Sequence, residues 1–350
     1  MPRQARLDAP GLLQHVIARG IERRKIFNDD QDRENFLIRL AIILEETQTQ
    51  CYAWALIPNH FHFLLRTGLT PLSKVMRRLM TGYAVTFNRR HRRAGHLFQN
   101  RYKSVICEED PYLLELIRYI HLNPLRAGLV KDLKELDKYP WTGHSAILGK
   151  RKNPLVPYPS SRNKKREKTE KSLAEKTIED VLLHFGDKLG EARRRYRQFV
   201  EKGVDQGSRP ELQGGGLVRS AGGDVSVLSS NRKEERELSD ERILGSGDFV
   251  SATLQQSERF LEKKYLPKRP IEELIEFVAK RLSIEPELIC SGSRQQKYSE
   301  ARSLVAWLAV EEVGHPAAEV ARFLGISRMG VQKAVIRGRE FGRHEVSRER

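Results

Sequence analysis

Apolar positions in the first 150 residues switch between strand-like runs and helix-spaced stripes. Leu12 to Ala18 is a short bulky run, and Arg19-Gly20 with the basic Arg23-Arg24-Lys25 follows it as a loop. Asp29, Asp30 and Asp32 then precede Phe36, Leu37, Leu40, Ile43 and Leu44 on one stripe. Acidic residues there suit the positive pole of a helix dipole, which predicts a helix running to about Glu46. Two strands, about Tyr52 to Ile57 and His60 to Arg66, are joined by Pro58-Asn59. Thr70-Pro71-Leu72-Ser73 opens a long helix carrying Val75, Leu79, Tyr83, Val85 and Phe87, and Gly95 breaks it. Phe98 to Ile106 reads as another strand. Asp110-Pro111 starts a last helix, proline being well placed in a first turn. Pro124 ends it near Asn123, because the residue before a proline avoids the helical conformation.

Strand, helix, strand, strand, helix, strand is the order of a ferredoxin-like α+β layer. The expectation for residues 1–148 is therefore an antiparallel sheet with helices on one face. Between 149 and 264 the pattern loosens. Lys150 to Lys168 is crowded with Lys, Arg, Pro, Ser and Asn and reads as an exposed basic linker. Ile178 to Phe185 and Glu191 to Val200 suggest a pair of short helices, and Asp240 to Leu254 a small ordered element. Gly214-Gly215-Gly216 and Gly222-Gly223, in an apolar-poor stretch, lack the spacing of a phosphate loop. Residues 265–343 read as all helical. Ile271, Leu274, Ile275, Val278 and Leu282 share one stripe, and Ala301 to Val310 forms a second helix. Val320, Leu324, Ile326, Val331 and Ala334 then have helix-turn-helix spacing, with Gly325 at the turn and Ser327 as the cap of the last helix.

Charge narrows the partner. Lys and Arg number 63 against 46 Asp and Glu, a net charge of +17. Such an excess points to a polyanion, most simply nucleic acid, with an anionic membrane surface as the competitor. No apolar run approaches the ~20 residues that span a bilayer, and Met1 to Arg6 lacks the apolar region of a secretion signal. Cys51, Cys107 and Cys290 are far apart, which fits a reducing cytoplasm and excludes a disulfide framework. The basic residues are not scattered. Arg77, Arg78, Arg89 and Arg90 make one face of the second helix, denser and less mixed with acids than a merely solvated face. Arg101 and Lys103, two apart on the expected strand, read equally well as phosphate contacts or as a solvated strand face. Arg328, Gln332, Lys333 and Arg337 decorate the last helix, which would enter the major groove of duplex DNA.

Two places carry candidate chemistry. On a strand, period two sets His60 and His62 on one face and Phe61 and Phe63 on the other. Two imidazoles side by side can hold a divalent cation, although an isolated His-x-His pair is more often two histidines of a buried strand. Tyr119 and Asn123, four apart, share a helix face: a nucleophile beside an oxygen ligand for Mg²⁺ or Mn²⁺. Alone, this pair reads first as a half-buried core aromatic and a helix terminator. Tyr112, seven residues before Tyr119, is the rival nucleophile, and His15 on the first strand reads first as a packed or exposed histidine.

Three blocks in order change that balance. They are Pro58-Asn59-His60-Phe61-His62, then Gly95-His96-Leu97-Phe98-Gln99-Asn100-Arg101-Tyr102-Lys103-Ser104, then Arg118-Tyr119-Ile120-His121-Leu122-Asn123-Pro124-Leu125-Arg126-Ala127-Gly128. Together, closing with Tyr139-Pro140-Trp141-Thr142, they resemble the single-tyrosine HUH transposases, and more narrowly the REP-associated tyrosine transposases. The resemblance implies that His60 and His62, with Asn123 as third ligand, bind Mg²⁺ or Mn²⁺. It implies that Tyr119 attacks a phosphodiester of single-stranded or hairpin DNA, leaving a 5′-phosphotyrosine and a free 3′-hydroxyl. A phenol of pKa ~10 needs such help at neutral pH. Monomer and homodimer both remain open. Separately, 293–334 resembles the C-terminal DNA-binding domain of the bacterial replication initiator. Ser327-Arg328-Met329-Gly330-Val331 departs from that family's usual sequence, so its DNA target does not carry over. Two other functions compete: a DNA-binding regulator on an inactive transposase scaffold, and a metal phosphohydrolase that uses water in place of tyrosine.

Overall fold

The computed structural model describes residues 7, 9–68, 70–157, 171–207, 209, 212, 238–265, 269–293 and 295–346. Two compact units divide the chain, 1–257 and 258–350.

In the first unit, β1 (Leu13–Arg19), β2 (Gln50–Ile57), β3 (His60–Arg66), β4 (Lys103–Cys107) and β5 (Ile243–Leu244) form one sheet in the order β2-β3-β1-β4-β5. The first four strands pair antiparallel, whereas β5 runs parallel to β4. The sheet is therefore mixed, not purely antiparallel as the sequence suggested. The expected strand from Phe98 is also shorter. Leu97 and Gln99 bond to Ile21 and Arg19 at the end of β1, and the chain bends before β4 begins at Lys103.

Helices cover both faces, which corrects the expectation of one. α1 (Asp30–Thr47) and α2 (Leu72–Arg90) pack on Val16, Ala18, Trp54, Leu56, Phe61, Phe63 and Leu65. α3 (Glu109–His121) covers the opposite side, on Leu13, Ala55, Leu64 and Val105. Short helices α4 (Asn123–Arg126), α5 (Leu133–Leu136) and α6 (Gly143–Ile147) follow α3. α7 (Leu173–Leu183) and α8 (Leu189–Glu201) add Val181, Leu182, Ala192, Tyr196 and Val200 to the α3 side. The physical reason lies in β2 and β3. From Ala53 to Ile57 and from Phe61 to Leu65 every residue is buried, so neither face could be left to water. Capping follows the sequence: Asp29 accepts from the Asp32 amide at 3.0 Å, and the Ser172 hydroxyl and Glu175 carboxylate form a reciprocal capping box on α7.

The second unit holds α10 (Ile271–Leu282), α11 (Pro286–Cys290), α12 (Gln296–Trp307), α13 (Ala317–Phe323) and α14 (Arg328–Val346); α9 (Gly247–Tyr265) runs across the division. The expected helix from Ala301 begins earlier and passes into a π turn over Leu308–Glu312. Val320, Leu324, Val331 and Ala334 are buried together, as their spacing requires. Gly325 takes φ +62°, a left-handed turn open to glycine, and the Ser327 hydroxyl accepts from the Gly330 amide at 3.0 Å. The glycine clusters at 214–216 and 222–223, most of the basic linker, and Arg294 lie outside the described residues. No helix among the described residues is long and apolar enough to cross a membrane.

Candidate active site

Strand parity sets the histidines where alternation requires. His62 pairs with Ile17 of β1 and Ala55 of β2, inside the sheet, while His60 opens β3 opposite Arg19 and Ile57. Their ring centroids lie 5.1 Å apart on the α3 face, and Phe61 and Phe63 point into the α1–α2 layer. Burial lowers both imidazoles: His60 to about 4, helped by the charge of Arg19, and His62 well below the ordinary histidine value, helped by His15 and His60. Both rings are therefore neutral at neutral pH and carry a lone pair.

The hairpin supporting His60 is fixed from behind. The Asn59 carbonyl accepts from the Gly20 amide at 2.8 Å, and that of Pro58 from the Ile26 amide at 2.8 Å. A Cβ on Gly20 would lie 2.1 Å from the Arg24 carbonyl oxygen, so only glycine lets this loop fold against the hairpin. Glu22 and Arg23 sit at φ 53° and 59°, each costing about 1–3 kcal/mol. The Arg23 carbonyl held by that strain accepts from the Asn59 side-chain amide at 3.1 Å. Asn59 Oδ1 is thereby turned to His60 Nδ1, 2.7 Å away. A carbonyl oxygen can only accept, so His60 carries its proton on Nδ1 and keeps Nε2 as a free lone pair.

Tyr119 stands on the same side. Its ring meets His62 edge-on at 6.1 Å and His15 edge-on at 5.9 Å between centroids. The Arg126 guanidinium covers it, 5.0 Å from the ring centroid, and donates to the Tyr119 carbonyl at 3.1 Å. Asn123, at the start of α4, donates its amide to the same carbonyl at 3.3 Å. His15 is fully buried, stacked on His62 at 5.2 Å, with Nε2 3.0 Å from His62 Nδ1. Tyr112 is half-buried at the edge of the α3 core, and among the described residues no ring contact joins it to a histidine.

The donor set, two neutral imidazoles, one with Nε2 freed by its own hydrogen bond, suits a borderline divalent cation, and a harder one such as Mg²⁺ only with added oxygen ligands. Among the described residues no group of three or more His, Cys, Asp or Glu could hold a metal.

The basic side chains divide. Arg77 and Arg89 are exposed on α2, Arg78 pairs with Glu46, and Arg90 forms a two-pronged bridge to Asp29 at 2.8 and 2.6 Å. That bridge holds the Asp29 carboxyl at about 2. All four belong to the helix layer across the sheet from the histidines. Arg101 lies in the bend before β4, not on the strand, and Lys103 is exposed on β4 in the row His62–Ile17–Lys103. Arg19, opposite His60, and Arg126 are cations beside the site that the sequence reading passed over, although Arg126 sits in the third motif block. On α14, Gln332, Lys333 and Arg337 are exposed; the side chain of Arg328 lies outside the described residues.

A histidine pair on a central strand is thus faced by a tyrosine on the helix after β4. Residues 9–123 match the family described as Transposase IS200 like, so the chain carries an IS200-like Y1 transposase domain. That family implies cleavage and rejoining of single-stranded DNA through a tyrosine, and HUH enzymes are generally metal-dependent. The match stops at Asn123 and leaves the C-terminal region unassigned. A solved structure described as "Structure of the REP associates tyrosine transposase bound to a REP hairpin" is similar at 15% identity and a TM-score of 0.35, covering 49% of this chain and 100% of that one. No curated protein matches.

Proposed function

We propose that Tyr119 cleaves and rejoins single-stranded DNA at a hairpin-like or repeat end, in DNA transposition or recombination. The observation that carries this reading is the Tyr119 ring seated edge-on against His62 on one sheet face. The Tyr119 oxygen attacks phosphorus, the bond to the 3′-oxygen breaks, and the phenolic proton passes to solvent while the 3′-oxygen gains one. The 5′-phosphotyrosine conserves the phosphodiester, so attack by another 3′-hydroxyl reseals the strand without ATP. Arg126 over the ring, with Arg19 and Lys103 on the sheet, supplies positive charge for the non-bridging oxygens. His60, His62 and Asn123 would hold Mg²⁺ or Mn²⁺. Bound there, the cation would polarise the phosphate and take up charge on the departing oxygen.

The second unit serves duplex DNA in this reading, with α13 and α14 as a helix-turn-helix and Gln332, Lys333 and Arg337, together with Arg328, reaching into the major groove. The Gly325 turn, the Ser327 cap and the exposed side chains of α14 support it. The domains read as 1–148 catalytic, 149–264 basic and partly helical, and 265–343 duplex-binding.

The test mixes the protein with labelled single-stranded hairpins from the flanks of its own gene, with Mg²⁺ or Mn²⁺, on a denaturing gel. A labelled band at protein size, lost with EDTA and in Tyr119→Phe, is expected. Cleavage without that band would make the enzyme a hydrolase. Binding with neither cleavage nor band would make it a regulator.

A further inference from the structure

We propose that His15 is a positioning residue that fixes which nitrogen of His62 is free, and that the backbone carbonyl of Leu212 sets His15 in turn. The inference rests on His62 as a metal ligand, but its chain of hydrogen bonds stands on the geometry alone. His15 Nδ1 lies 2.9 Å from the Leu212 carbonyl oxygen. That oxygen has no proton to give, so His15 donates from Nδ1 and a neutral His15 keeps only a lone pair on Nε2. Its Nε2 is 3.0 Å from His62 Nδ1. His62 must then donate from Nδ1, which leaves its Nε2 unprotonated. Asn59 produces the same outcome at His60 from the other end of the strand pair. Two independent devices, an asparagine and a carbonyl-histidine relay, thus present two Nε2 lone pairs on one face.

Burial makes the relay restrictive. His15 and His62 are 0% and 3% exposed, so water cannot easily substitute for either partner. The Leu212 side chain is buried in the α3-side core, and its amide donates to the Arg209 carbonyl at 3.2 Å. Arg209 bridges to Glu115 of α3, at 3.1 Å. The segment that orients His15 is therefore tied to the helix that carries Tyr119. A residue 197 positions away from His15, Leu212, thus contributes to the histidine pair.

The test reads tautomers first. Long-range ¹H–¹⁵N spectra of the metal-free full chain should show both His15 and His62 protonated on Nδ1. His62 protonated mainly on Nε2 would overturn the proposal without any variant. The second readout is binding of Mn²⁺ alone, by calorimetry. His15→Phe removes the acceptor and should weaken Mn²⁺ by roughly 10–100-fold. His15→Gln places an amide oxygen near the former Nε2 and should bind Mn²⁺ within a few-fold of the parent. A folded His15→Phe protein with unchanged affinity and an unchanged His62 spectrum would overturn the relay. Should His15→Phe fail to fold, the parent spectrum and His15→Gln decide: a folded His15→Gln protein that has lost the Nδ1 proton of His62 also overturns it. Absence of Mn²⁺ binding by the parent would instead remove the metal reading, leaving the spectra to judge the relay.

Discussion

The two faces of one strand do different work. On its α1–α2 side β3 presents Phe61 and Phe63, which stack at 4.6 Å and meet Phe36 at 5.0 and 6.0 Å. On its α3 side the same strand presents His62 to His15 and Tyr119, with His60 beside it. The phenyl face needs no hydrogen bonds and gains from apolar burial and aromatic geometry. The histidine face is nearly as buried, yet each ring needs a partner, and each partner fixes a proton. Rigidity from the first face is what lets the second hold its geometry, because residues alternate on one backbone. Stability and chemistry are separable here by parity.

The largest effect should come from Tyr119→Phe. Loss of the nucleophile should abolish covalent adduct by about three orders of magnitude or more, with thermal stability changed by about 1 kcal/mol at most. The mirror substitution on the other face, Phe63→Ala, should cost about 3–5 kcal/mol in denaturant unfolding. Adduct formation by whatever fraction stays folded in the cold should survive it. Acid separates the faces next. His15 is held at about 4 by burial, against 6.5 in an unfolded chain, so the unfolded state binds its proton first as pH falls. That group's stabilisation is complete above pH 6.5 and is lost on the way to about 4, by roughly 3 kcal/mol. Melting temperatures across that window should fall less steeply in His15→Gln. His60→Ala should lower adduct yield by roughly 10–100-fold while leaving the fold intact, since it opens the strand and is less buried than His62. The smallest effect belongs to α2. Arg77→Ala with Arg89→Ala, across the sheet from Tyr119, should leave the adduct rate on a short oligonucleotide unchanged. Each lost phosphate contact should reduce the salt slope of DNA binding by about 1.

Much of this site is written locally in the chain. Parity along Pro58–Arg66 placed the histidines opposite the phenylalanines, and the spacing to Pro124 placed Tyr119 in the last turns of its helix. The second helical layer was harder to see, although the unbroken apolar run before Pro58 is what burial on both faces looks like. Period alone does not say on which side of a sheet a helix lies, so the basic stripe of α2 read as a nucleic-acid surface without a side. Its position follows from both crossover helices packing on one face and α3 on the other. Arg90 shows a related limit, because nothing near it in sequence reveals its partners Asp29 and Asp32. His15 was the least legible. Its role needs a carbonyl 197 residues away, and backbone acceptors leave no mark in composition or spacing.

One measurement tests the central claim most directly: mapping the adduct. The trapped protein–DNA species is digested and the peptide bearing the residual nucleotide identified by mass. Phosphate on Tyr119, the tyrosine seated on the histidine face, is the predicted result. Phosphate on Tyr112, or strand cleavage with no modified peptide, would contradict it.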